Sequence, residues 1–128
     1  MSTGQNGVKF FTPREADQTL PLVRRIVEDI LLTGDKLRAR SAEVGGGAEE
    51  DAEVKRYVAV LDELFEELET LGCSYKDWNF TVGLVDFPSI ISGQEVFLCW
   101  RSDEPALRFF HGVEEGFSGR REIPANYL

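Results

Sequence analysis

From Ala16 to Leu37 the apolar residues fall at Ala16, Leu20, Val23, Val27, Ile30 and Leu37. That spacing of four and three draws one continuous stripe along a helix, as in a heptad seam. A stripe of this length must be buried, so a long helix has to lie against another element. Thr12, Pro13 and Glu15 precede it in the order of a capping box with proline at the first helical position. Leu22, Ile26, Leu31 and Leu32 widen the stripe, so the helix is expected to meet more than one neighbour. Pro21 removes an intrahelical hydrogen bond and predicts a kink or a division there. The pattern fades after Leu37, and Gly45, Gly46 and Gly47 end it. A second stripe follows at Val54, Tyr57, Val58, Leu61, Leu64, Phe65, Leu68 and Leu71, opened by acids and closed by Gly72. A short connection makes the helices antiparallel neighbours. Residues 12–71 are therefore predicted to form a long antiparallel helical hairpin, coiled-coil-like, with its loop near 42–49. Lys36, Arg38 and Arg40 would face Glu49, Glu50 and Asp51 at its tip. Residues 1–9 read as a flexible tail, with Phe10 and Phe11 as the first apolar anchor.

Beyond Cys73 the period changes. Residues 82–87, 95–101 and 106–111 are rich in β-branched and aromatic side chains and are bounded by Pro88, Gly93 and Ser102–Pro105. They predict a three-stranded antiparallel meander within 80–111 and an irregular tail over 112–128. The fold class is α+β in a single domain spanning 1–128. The middle strand, Val96 to Trp100, is apolar on both faces, so both faces of the sheet are expected to be covered. A tight turn at Ser102–Pro105 would pair Arg101 with Ala106 and place Val96 opposite His111.

The formal net charge is −9, and residues 49–71 hold nine acids against Lys55 and Arg56. A surface of that sign repels phosphate backbones, so no nucleic-acid partner is expected. No uncharged apolar run reaches the ~18 residues of a membrane span, and Met1 to Lys9 lacks the apolar region of a signal peptide. Cys73 and Cys99 are not spaced as a metal-ligand pair, which points to a reducing cytoplasm and free thiols.

The polar residues of the C-terminal half are the candidates for chemistry. If the first strand sets Asp86 opposite Val96, then Asp86, Val96 and His111 form one row, with Asp86 and His111 two strands apart, roughly 10 Å between backbones. A carboxylate beside an imidazole fixes its tautomer and suits a general base or a metal site. The functional reading is an acid–base or carboxylate/histidine metal site of Asp86, His111 and Glu114, with Arg120 holding an anionic group. The structural reading makes His111 a strand-end residue bonded to a carboxylate, with Arg120 paired to Glu114 or Glu115. No cofactor is predicted. The metal alternative is an oxygen-rich Mg²⁺ or Mn²⁺ site. The glycines of 112–119 match no phosphate-loop pattern, and Cys99 lies mid-strand, where burial makes a thiol inert.

The segments Leu84–Pro88, Glu95–Trp100 and His111–Arg120, following a charged helical hairpin that opens on Phe11 and Thr12, together resemble a bacterial family catalogued as a domain of unknown function, number twenty-two oh three. The resemblance covers about Phe10 to Ile123. It implies a small prokaryotic stand-alone domain and no particular reaction. Family members often carry Trp before the histidine, where this chain has Phe110. Two functions are carried forward. The first is a self-associating or partner-binding interaction module, a homodimer formed through the hairpin. The second is a small enzyme or small-molecule binder at the sheet end.

Overall fold

The computed structural model describes residues 8–77 and 79–128. The element order is helix α1 (Pro13–Val44), helix α2 (Ala52–Leu71), then strands β1 (Ser74–Tyr75), β2 (Leu84–Ile91), β3 (Gln94–Arg101), β4 (Phe109–Gly112) and β5 (Arg121–Glu122). The class is α+β. The expected tail over 1–9 lies, for residues 1–7, outside the described residues. Phe11 is already anchored, its N–H donating to the carbonyl of Pro88 at 2.7 Å.

Both ends of the helices follow from local chemistry. The Thr12 hydroxyl accepts from Glu15 N at 3.1 Å, and the Glu15 carboxylate accepts from Thr12 N at 2.9 Å. Gly45 caps α1 at φ 74°, and Gly72 caps α2 in the left-handed region. α1 runs through Pro21 without being divided there. Pro21 and Asp17 both face solvent, so the carbonyl that proline leaves unpaired meets water. Asp51 caps α2 by accepting from Val54 N, and Arg40 grips the same carboxylate at 3.0 and 2.9 Å. Arg38 instead bonds Asp35 and the carbonyl of Asn79.

The sheet has five strands in the order β1-β2-β3-β4-β5, all pairs antiparallel, where the sequence predicted three. The two additional strands are two-residue edge pieces, too short to carry an alternation. Pro88, expected to end the first strand, sits inside β2. β2 and β3 are joined by Ser92 and Gly93 at φ 54° and 77°. Two successive positive φ values are the geometry of a tight hairpin turn. This fixes Ile91 opposite Gln94 and Asp86 opposite Cys99. The predicted Val96–His111 pairing is corrected by one residue: Val96 faces Gly112 and Phe97 faces His111. The connection from β3 to β4 is not a tight turn. It occupies 102–108 and is held by Trp100 Nε1 on the Glu104 carbonyl and by Leu107 N on Asp17.

The two faces of the sheet are therefore distinct. Val85, Phe87, Leu98 and Trp100 are fully buried and join Leu20, Val23, Val27, Ile30, Leu61 and Leu68 of the helices in one core. The Phe11 ring meets Phe87 edge-on at 5.2 Å, and the Arg24 guanidinium lies 5.1 Å from the Trp100 ring. At Gly34 an added Cβ would stand 2.5 Å from the Phe80 ring, so glycine lets the loop before β2 close onto α1. Period-two alternation sends Asp86, Phe97, Cys99, Phe109 and His111 to the other face. No described helix is long and apolar enough to cross a membrane.

Candidate functional site

On that second face Asp86, Cys99 and His111 are all buried, at 5, 2 and 3% exposure. They arrive from three successive strands. Asp86 lies directly opposite Cys99, and His111 lies opposite Phe97, so Asp86 and His111 meet diagonally across β3. Sequence reasoning placed both residues on one face but joined them across Val96; a three-residue difference in the β2–β3 pairing and a one-residue difference in the β3–β4 pairing put Cys99 and Phe97 between them instead.

His111 Nε2 stands 3.2 Å from each carboxylate oxygen of Asp86. Its Nδ1 stands 2.8 Å from the carbonyl oxygen of Gly112. A carbonyl only accepts, so Nδ1 carries a proton. That leaves the Nε2 lone pair facing two carboxylate oxygens unless a cation lies between them. In the protein alone a proton shared by the two groups occupies that place. An imidazole held in this way offers no free nitrogen to a third group. The relay geometry of a general base, with one nitrogen on the carboxylate and the other on the substrate, is therefore not present.

Cys99 completes the cluster: one donor atom from each of Asp86, Cys99 and His111 lies within 4.8 Å of the others. Burial, and after it the negative charge of Asp86, pushes the Cys99 thiol up to about 12. Cys73, buried below the end of α2, donates to the Leu68 carbonyl and is likewise pushed up to about 12 by burial.

Above the cluster opens a cavity of about 290 Å³. Its walls are Lys76, Leu84, Phe97, Val113, Glu115 and Phe117, and its floor is Asp86, Cys99 and His111. Phe97 leans on the His111 ring at 5.7 Å between centroids. Lys76 Nζ lies 6.0 Å from the Phe97 ring and brings a positive charge to the wall. Glu115 is pinned by Gly112 N at 2.6 Å and Arg121 at 2.9 Å, and these bonds hold its carboxyl below the usual range.

The remaining sequence candidates lie apart from the floor. Glu114 is exposed and does not line the cavity; its neighbour Glu115 does. Arg120 pairs with Glu104 at 2.7 Å, donates to the carbonyl of Cys99, and sits between the rings of Phe109 and Phe117 at 4.1 and 4.6 Å. Its charge is thus engaged behind the cavity wall rather than within the cavity. Cys99, Lys76 and Phe117 were not among the sequence candidates. The Ser92–Gly93 pair was the signal for Cys99, because a two-residue turn there fixes Asp86 opposite it.

Fold and site together define a small α+β protein with a polar-floored pocket on the sheet face opposite its buried core. The chain belongs to the family of uncharacterized conserved proteins DUF2203, which it matches over residues 9–123. No curated protein and no solved structure matches it.

Proposed function

We propose that this protein binds a small molecule in the pocket floored by Asp86 and His111. The observation that carries the reading is a buried, hydrogen-bonded Asp86–His111 pair at the floor of a cavity with apolar walls. Small-molecule sites have this composition: apolar walls for area and a few fixed polar groups for orientation. The ligand would place an apolar body against Leu84, Phe97, Val113 and Phe117, a hydrogen-bond donor on the Asp86 carboxylate, and an acceptor toward Lys76. The engaged imidazole nitrogens favour binding over acid–base turnover. Gly116 lines the pocket with open space around it, so Gly116→Trp would plug the cavity without disturbing the fold. Ligand-observed NMR with a panel of small amines, amino acids and carboxylates should give binders to the wild type that Gly116→Trp rejects. Binders that ignore the plug would overturn the proposal.

A second reading rests on the helices. If α1 and α2 act as an antiparallel hairpin module, Leu22 and Leu32, 47 and 55% exposed, together with Val58 and Val60, supply a contact surface. Light scattering that finds a dimer, dispersed by Leu22→Lys with Leu32→Lys, supports self-association; a monomer at high concentration excludes it.

A further inference from the structure

We infer that Asp86, Cys99 and His111 form a site for one zinc-class divalent metal ion, coordinated by a carboxylate oxygen, a thiolate sulfur and His111 Nε2, with a fourth position open to the cavity. The inference builds on the pocket reading but replaces the proton between His111 and Asp86 with a metal.

Three observations converge on it. The first is the orientation of the imidazole. Nδ1 donates to the Gly112 carbonyl, which is how metal-bound histidines are held, and it leaves the Nε2 lone pair aimed at the cluster. The second is spacing. Ligand atoms around a tetrahedral zinc stand roughly 3.3–3.6 Å apart, given bonds of about 2.0–2.3 Å. Nε2 is already 3.2 Å from both Asp86 oxygens, and the donor atom of Cys99 is within 4.8 Å. Side-chain shifts of about 1 Å therefore close the site. The third is access. Catalytic and ligand-exchanging zinc sites use three protein donors and leave the fourth place free, and here Asp86, Cys99 and His111 all line the cavity.

The donor set also selects the metal class. Sulfur and imidazole nitrogen favour Zn²⁺ or Co²⁺ over Mg²⁺, Mn²⁺ or Ca²⁺, which take oxygen. The expected oxygen-rich site with Glu114 gives way to one with sulfur in its place. The protons balance simply: metal entry sends the Cys99 thiol proton and the proton held between His111 and Asp86 to solvent. The bound ion then presents its free position to a lone-pair-bearing oxygen or nitrogen of the pocket ligand.

The test uses the untagged full chain, stripped with chelator and dialysed. Calorimetric titration with ZnCl₂ should show one ion per chain. CoCl₂ should produce a thiolate-to-cobalt charge-transfer band together with intense tetrahedral visible bands. Cys99→Ser should lower zinc affinity by more than about 100-fold and remove the charge-transfer band. Cys73→Ala, which touches no donor of the site, should leave both unchanged. If Cys99→Ser does not fold, the wild-type cobalt spectrum decides: a thiolate band supports the site and its absence overturns it. Stripped wild type that is folded by circular dichroism and takes up no zinc overturns the inference. The pocket reading fails separately, if zinc binds but no small molecule is rejected by Gly116→Trp.

Discussion

Asp86 and His111 touch diagonally across β3, with Nε2 at 3.2 Å from both carboxylate oxygens and side-chain exposures of 7 and 4%. Two buried polar groups that satisfy each other become a liability when one is removed. His111→Ala leaves Asp86 buried with its strongest partner gone and should lower unfolding free energy by about 3–5 kcal/mol. Asp86→Ala should cost a similar amount. The double variant should lose far less than the two losses combined, because the pair fails as a unit. Urea denaturation of the four proteins measures the coupling. Additive losses would show that the contact contributes little to the fold.

Burial makes both thiols poor nucleophiles. Neither Cys73 nor Cys99 should react with an aromatic disulfide reagent at pH 8 on a timescale of minutes, and both should react at once in urea. Cys73 also sets an alkaline limit. Its thiol is pushed up to about 12 in the fold, so the folded state keeps a proton that the unfolded chain releases near pH 8.5. Its contribution is complete below that pH and is lost as pH rises toward 12. Cys73→Ala should show a shallower alkaline fall in melting temperature than the wild type.

The helices were legible in the sequence because their signals are local. Thr12, Pro13 and Glu15 mark one start and Gly72 one stop, and each acts within a single turn. The sheet register was not legible, because it depends on loop length. Counting from Ser92–Gly93 yields the β2–β3 pairing, whereas residues 102–108 fold against α1 through Leu107 and Asp17, a contact that sequence spacing cannot reveal. With that connection the β3–β4 register moves by one residue, so His111 lies opposite Phe97 rather than Val96. Val58 shows the same limit from the other side: it fits the apolar spacing of α2 yet is 43% exposed, because heptad spacing gives a stripe but not its width.

Arg120 is placed to hold the C-terminal segment, not a ligand. Its guanidinium is stacked between two rings and paired with a largely buried Glu104. Arg120→Ala should destabilise by about 2–4 kcal/mol, combining a broken partly buried pair with lost stacking. Arg120→Lys should recover only part of this, since an ammonium cannot lie flat between Phe109 and Phe117 while reaching Glu104 and the Cys99 carbonyl. Thermal denaturation ranks the three proteins. Equal stability of Arg120→Ala and wild type would free Arg120 for the anion-binding role expected from sequence.

At the far end of the molecule Asp51 links the two helices. The Arg40 guanidinium, with help from Val54 N–H, holds its carboxyl down at about 2. An acid whose pKa is depressed in the fold stabilises it above the unfolded value of about 3.9, and that contribution disappears as pH falls toward 2. Asp51→Asn keeps an N-cap acceptor for Val54 but gives up the charge that Arg40 requires. The variant should melt lower than the wild type at pH 6, and the two curves should converge as pH falls from 4 to 2. High salt should narrow the gap at pH 6 only partly, because the bidentate Arg40 contact adds directed hydrogen bonds to the Coulomb attraction. Curves that stay parallel from pH 6 to 2 would mean that Asp51 acts through its cap alone and that Arg40 contributes nothing to holding α1 against α2.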